Sequence, residues 1–237
     1  MPKLTIFPYD KVKYNLLMTT LEKSNHVTVK KIDRFPEVIL EIFSSRSKHE
    51  KTTQALIAEL KISFGDIIVS TKGLSLIEEV TQNLMTQKLT ISVAESCTGG
   101  LISHLLTQVS GSSNYFMLGA VTYSNEAKIK ILGVPEDIIK NFGAVHEETA
   151  KFMARCIREK LNTHIGLATT GIAGPTGGSP EKPVGTLCVA IAWHNNLRSK
   201  RYTFDWGMRD KNKMFFAYLA LNLLRLEIIR HKAGQNR

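Results

Sequence analysis

Thr90-Ile91-Ser92-Val93-Ala94-Glu95-Ser96-Cys97-Thr98-Gly99-Gly100-Leu101 is the stretch on which the fold turns. Thr90 to Ala94 is short, apolar and rich in β-branched residues, so it reads as a strand. Gly99 and Gly100 punctuate a turn. Leu101, Leu105 and Val109 then recur at helical spacing. A strand, a glycine turn and a helix in that order open a layered α/β unit. Such units build their sites on the loops that follow the strands.

The pattern continues downstream. Phe116–Tyr123 reads as a strand, and residues 124–132 and 135–141 read as short helices. Residues 147–161 read as a helix with Ala150, Met153, Ala154, Ile157 and Leu161 inward. Ile165–Thr169 is a strand that ends in a Gly/Pro-rich loop reaching Pro183. Val184–Trp193 and Arg198–Asp205 read as a hairpin through His194-Asn195-Asn196. A last helix runs from about Asp210 to Arg230, with Met214, Ala217, Leu221, Leu224 and Ile228 on its buried stripe. Strands alternating with helices predict an α/β/α layered domain, and the hairpin predicts a mixed sheet.

Upstream, Leu74 opens a helix that turns Ile77, Val80 and Leu84 inward. Residues 1–35 are polar and weakly patterned. Glu37–Phe43 and Ile67–Val69 read as strands. Residues 47–62 read as a helix with Ala55, Leu56 and Leu60 at helical spacing. Gly73 marks a boundary, so a small α+β unit over 1–73 precedes the α/β domain over 74–237.

Composition bounds the possibilities. The 237 residues are 43% hydrophobic and 22% charged, which suits globular domains with a real core. No apolar run is long enough for a membrane span, and Met1-Pro2-Lys3-Leu4-Thr5 has no secretory pattern, so a cytoplasmic protein is expected. Cys97, Cys156 and Cys188 are odd in number and widely spaced, which argues against a disulfide framework. Neither cysteines nor histidines show metal-ligand spacing, so no metal and no cofactor is expected. The net charge of +10 is concentrated in residues 196–237, with ten Lys/Arg against three Asp/Glu. That segment reads as a solvated face, as a site for an anionic small molecule, or as a nucleic-acid patch. No clear set of exposed aromatics is interleaved with it, which makes nucleic acid the weakest of the three.

Four segments carry chemistry. Ser96 sits where a strand meets a helix, near backbone N–H groups suited to an oxyanion or a phosphate. The alternative is that Ser96 or Thr98 only caps the helix. Gly171-Ile172-Ala173-Gly174-Pro175-Thr176-Gly177-Gly178-Ser179 holds four glycines in nine residues. It reads as an anion or sugar-phosphate loop, or as a plain connection. Lys128 follows the strand ending at Tyr123, and is either a surface residue or a partly desolvated base or phosphate contact. Arg209 precedes the last helix, either to pair with a phosphate or as one member of the basic face.

These segments, in this order, resemble the CinA C-terminal family of nicotinamide-nucleotide amidohydrolases, also called competence/damage-inducible proteins. The likeness rests on Ala-Glu-Ser-Cys-Thr-Gly-Gly at 94–100, Tyr-Ser-Asn-Glu-Ala-Lys at 123–128 and Gly-Ile-Ala-Gly-Pro at 171–175. It runs from about Leu76 to about Arg230. The resemblance implies hydrolysis of nicotinamide mononucleotide to nicotinate mononucleotide and ammonia. It implies Ser96 as nucleophile and Lys128 as general base. Tyr123, Asn125 and Thr170 would line the pocket. Gly99, Gly100, the loop Gly171, Ile172, Ala173, Gly174, Gly177 and Gly178, and Arg209 would hold the substrate.

The chemistry is coherent, because an amide needs a nucleophile, a base and oxyanion donors. Lys128 must be uncharged to act as base, so its pKa must fall. Cys97 is a rival nucleophile, but its side chain should point away from Ser96, and nothing adjacent supplies a base. Thr176 and Met208 replace acids common in the family, which bears on affinity. Residues 36–73 resemble the KH-like middle domain of longer members. Those members also carry a molybdopterin-binding-like domain that hydrolyses ADP-ribose, an activity not expected here. No Gly-x-x-Gly occurs before residue 100, so the small unit is expected to pack or dimerise rather than read RNA. A homo-oligomer is expected. The competing reading is a non-catalytic accessory of DNA uptake or damage response that binds nucleic acid through its basic C-terminal segment.

Overall fold

The structure is a computed structural model that describes residues 2–45, 50–194 and 196–235. The chain divides into two compact units, Met1–Glu79 and Val80–Arg237. In the first, β1 (Lys3–Ile6), α1 (Lys11–Glu22), β2 (Val27–Arg34), β3 (Glu37–Ser44), α2 (Glu50–Phe64) and β4 (Ile68–Ser70) follow one another. Their sheet has the order β2-β3-β1-β4, and neighbouring strands are antiparallel. This is the split-βαβ, ferredoxin-like arrangement, a connectivity that a KH-like resemblance alone does not specify.

Residues 1–35 are therefore more ordered than their weak pattern predicts. The reason is local. β1 is a four-residue strand in which Leu4, Thr5 and Ile6 are all buried, so it shows no burial alternation, and α1 buries only Leu17 and Leu21. The edge strand β2 keeps most of its residues outward, so little apolar signal marks it. Asp10 caps α1 by accepting from the Lys13 N–H at 3.0 Å. On α2 the buried stripe is Thr53, Ile57, Leu60 and Phe64, whereas Ala55 is exposed. The expected start of that helix at residues 47–49 lies outside the described residues.

The chain continues through α3 (Leu76–Thr86), β5 (Ile91–Glu95), α4 (Leu101–Thr107) and β6 (Phe116–Val121). Next come α5 (Asn125–Ala127), a π-helical turn (Lys128–Leu132), α6 (Glu136–Phe142) and α7 (Glu147–Lys160). It ends with β7 (Ile165–Gly171), β8 (Thr186–Trp193), β9 (Asn196–Thr203) and α8 (Arg209–Gln235). The second sheet has the order β6-β5-β7-β8-β9. β5 pairs in parallel with β6 and β7, whereas β7–β8 and β8–β9 are antiparallel. The sheet is mixed, in a layered α/β arrangement. Asn195, in the expected hairpin turn, lies outside the described residues.

Small residues explain how α7 lies so close to this sheet. Ala94, Ala168 and Ala190 stand side by side in adjacent strands, and Gly166 faces Ala192. Ala150, Met153, Ala154 and Ile157 of α7 pack against that face. A Cβ on Gly166 would fall 2.0 Å from the Ala154 carbonyl oxygen. We expect Gly166→Ala to force α7 off the sheet and cost about 2–4 kcal/mol. Thermal melting checks this, with a drop of roughly 5–15 °C expected. Leu161, expected on the buried stripe, is 54% exposed because α7 stops at Lys160 and Leu161 is only its C-terminal cap.

α4 covers the opposite face, where Gly119 leaves room for Ser103. The last helix differs from the expected one-sided stripe. Every residue from Phe215 to Arg225 is buried, so α8 is an internal helix rather than an amphipathic one. No helix among the described residues is long and apolar enough to cross a membrane.

Candidate active site

β5 is flanked by β6 on one side and β7 on the other, and chain connections leave it in both directions. The carboxyl end of such a strand opens a crevice. Ser96 is the first residue beyond that end. Its N–H donates to the Thr169 carbonyl at 3.0 Å, and the Thr98 and Thr169 hydroxyls bond at 2.8 Å. The turn is thus pinned to β7 on both sides of Cys97.

Lys128 reaches the same point from the other side of β5. Ser124 caps α5 through its hydroxyl, and Lys128 begins the π-helical turn that follows. Its Nζ lies 3.0 Å from Ser96 Oγ, 2.8 Å from the Thr122 carbonyl oxygen and 3.2 Å from that of Tyr123. Lys128 is 1% exposed and Ser96 8%. Burial lowers the lysine from its ordinary 10.5 to about 8, and the only opposing influence is the neighbouring Cys97. An uncharged amine has two N–H donors and one lone pair. The two carbonyls accept the donors, which leaves the lone pair for the Ser96 hydroxyl. The ammonium formed after proton transfer keeps all three partners as acceptors, so the site serves both protonation states without rearrangement.

Glu95 was not singled out from the sequence, yet it shapes the turn. It is fully buried. Its carboxylate accepts from the N–H groups of Gly100 and Ile102 at 3.0 Å and Ser103 at 2.8 Å, and from the Ser103 hydroxyl at 2.7 Å. The Gly99 N–H donates to the Ser96 carbonyl, and that of Leu101 to the Thr98 carbonyl. The amides at the start of α4 are therefore taken, contrary to the expectation that they stand open to an oxyanion or a phosphate. The Cys97 and Thr98 N–H groups donate to no carbonyl or carboxylate among the described residues. Cys97 itself is buried, and burial pushes its thiol up to about 12. It stays a thiol at neutral pH and is a poor nucleophile.

The remaining sequence-derived residues fall into two groups. Arg209 Nη1 donates to the Gly174 carbonyl at 2.6 Å and Nη2 to the Tyr123 hydroxyl at 2.7 Å. Asn212 Nδ2 donates to the Ala173 carbonyl at 3.1 Å and is itself oriented by Asp205. Gly171 and Ile172 run beside Thr186 and Leu187 at the start of β8. Tyr123, the loop through Gly174 and Arg209 are thus brought to the Ser96–Lys128 pair, since the Tyr123 carbonyl is also a Lys128 partner.

Others are not drawn in. The Thr170 hydroxyl is spent on the Ala144 carbonyl at 2.7 Å. Asn125 lies on the exposed first turn of α5, and Gly177 and Gly178 lie on an exposed stretch of loop. A cavity of about 790 Å³ is lined by Thr98, Gly99, Gly100, His104, Arg209 and Lys213, among others. It begins two residues beyond Ser96 and does not itself include Ser96 or Lys128. His104 and Lys213 escaped the sequence reading. Lys213 could have been found, because it lies one helical turn after Arg209. No cluster among the described residues has the makeup of a metal site.

Residues 74–228 match the family described as the CinA C-terminal domain. A "CinA-like protein" of Desulfosudis oleivorans is 44% identical over 200 residues, covering 83% of this chain and 48% of that relative. One from Geobacter metallireducens is 36% identical over 232 residues, covering 96% of this chain and 56% of the relative. The chain spans about half the length of these curated relatives. Among solved structures, a competence-damaged protein (CinA) superfamily member from Klebsiella pneumoniae superposes with a TM-score of 0.63 at 27% identity, over 65% of this chain and 96% of that one. A competence/damage inducible protein from Agrobacterium tumefaciens gives 0.60 at 38% identity, over 64% and 94%.

Proposed function

We propose, from the premise that this chain belongs to the CinA C-terminal domain family, that it is an amidohydrolase that deamidates nicotinamide mononucleotide by a serine–lysine mechanism. One observation carries the reading. A buried lysine amine, lowered to about 8, sits 3.0 Å from the hydroxyl of a serine at a strand-to-helix turn.

In this account Ser96 Oγ attacks the carboxamide carbon as its proton passes to the Lys128 lone pair. The oxyanion is met by the Cys97 and Thr98 N–H groups, the two donors of the turn left without a carbonyl or carboxylate. Lys128 then gives the proton to the departing nitrogen, and ammonia leaves an acyl ester on Ser96. Water, activated by the same amine, hydrolyses that ester to the nicotinate product. Glu95 holds the turn by occupying the amides that would otherwise compete for the oxyanion. The substrate's pyridinium charge, close to Lys128, further favours the uncharged amine.

The test is ammonia release from nicotinamide mononucleotide by the full chain, beside a panel of other amide-bearing nucleotides. Turnover of none of them would end the reading. The pH profile adds a sharper expectation. The active form is the deprotonated lysine, so kcat/KM should rise about tenfold per pH unit below about 8 and level off above it. A profile that is flat across pH 6–9, or that falls, would remove Lys128 as the base.

A further inference from the structure

The cavity beside Gly99 poses a question of charge. An anionic group entering it finds the amides of Gly99, Gly100, Leu101, Ile102 and Ser103 already bonded to Ser96, Glu95 and Thr98. Each terminal nitrogen of Arg209 gives one of its two N–H groups to a protein acceptor, which makes this side chain a strap between Gly174 and Tyr123 with other N–H groups to spare. His104 Nε2 is 2.9 Å from Gln108 Nε2. Lys213 differs from all of these. It lines the cavity from the first turns of α8, and among the described residues it makes no hydrogen bond or ion pair. Its Nζ stands over Gly99, 3.2 Å from where a Cβ would be. Gly99 has a φ of +60°, so the bare backbone at that point both permits the turn and leaves the space for Nζ. Asp210 shares the lining and does not pair with Lys213 within salt-bridge distance. A carboxylate there repels a bare anion but accepts from sugar hydroxyls.

We propose that this cavity is a sugar-phosphate subsite in which Lys213, rather than the glycine amides, meets the phosphomonoester and Asp210 accepts from the sugar hydroxyls. The inference rests on the reading that the substrate is a nucleotide amide, and it names where that nucleotide's phosphate goes. A compact ammonium at the end of a flexible stem suits a terminal phosphate as a point charge. The lining of the subsite begins at Thr98, two residues along the turn from Ser96.

Calorimetric titration of the full chain with ribose 5-phosphate tests this without relying on turnover. Lys213→Met should weaken binding by about 10- to 100-fold, whereas Lys213→Arg should stay within about fivefold of wild type. Free ribose should bind equally weakly to all three, and inorganic phosphate should bind less tightly than ribose 5-phosphate to wild type. The subsite is overturned if Lys213→Met binds ribose 5-phosphate as wild type does, if wild type does not bind it, or if Lys213→Arg loses as much as Lys213→Met. Lys213-dependent binding without ammonia release from nicotinamide mononucleotide would sink the amidase reading and leave the subsite standing. Ammonia release with binding indifferent to Lys213 would do the reverse.

Discussion

Ser96→Ala should abolish ammonia release from nicotinamide mononucleotide, lowering kcat by about 10⁴-fold or more with little change in KM. The size of the effect follows from the site's economy. The Ser96 hydroxyl is the only side-chain oxygen within hydrogen-bond reach of Lys128 Nζ among the described residues. Without it no group stands between the amine and a bound carboxamide. The fold should survive the change, because the anchors of the turn are the Ser96 N–H to Thr169 and the Thr98–Thr169 hydroxyl pair, and both remain. Cys97 cannot substitute, since burial keeps its thiol protonated. Steady-state assay of the purified variant checks the prediction. Turnover within tenfold of wild type would rule out Ser96 as nucleophile.

Lys128→Met should lower kcat by about 10³-fold, within the range a general base contributes. Lys128→Arg should be no better, because a guanidinium cannot give up its proton at any usable pH. This failure of a charge-conserving change separates a base from a phosphate-binding cation, which arginine would replace. The same residue leaves a mark on stability, and its sign is fixed by linkage. In the unfolded chain a lysine holds its proton up to about pH 10.4. In the fold Lys128 loses it near 8. Between these values the unfolded state binds more protons, so wild-type stability rises with pH across the window. Relative to Lys128→Met, the wild type should gain roughly 3 kcal/mol from pH 8 to about 10.4. Denaturant melts of both proteins at several pH values check this. A difference that shrinks with pH would contradict the buried, easily deprotonated lysine.

How much of this could be read from sequence depends on what kind of neighbour each residue has. β5, the glycine turn and α4 follow from periodicity and two glycines, because their burial is set along the chain. The buried face of α7 is legible for the same reason, up to Ile157. α8 reads as one-sided because Met214, Ala217, Leu221, Leu224 and Ile228 recur at helical spacing. Phe216, Leu219 and Leu223 on its other sides are also buried, and only tertiary packing reveals that. The first 35 residues are hidden by brevity, with three buried positions in β1, one of them the polar Thr5, and two in α1. At the site, Ser96 and Lys128 were legible as residues, but their contact is not, since it joins a strand end to a π-helical turn 32 positions away. Glu95 was invisible because all but one of its partners are backbone amides, which every residue possesses. The family resemblance implies Thr170 as a pocket residue, whereas its hydroxyl is spent on the Ala144 carbonyl.

The protonation state of Lys128 in solution is the most direct test. In protein labelled with ¹³C at the lysine Cε, the Lys128 resonance can be assigned by its loss in Lys128→Met and followed from pH 6 to 11. The account predicts a midpoint near 8. A midpoint at the ordinary lysine value of about 10.4 would mean a permanently charged amine beside Ser96, and the serine–lysine mechanism would fail.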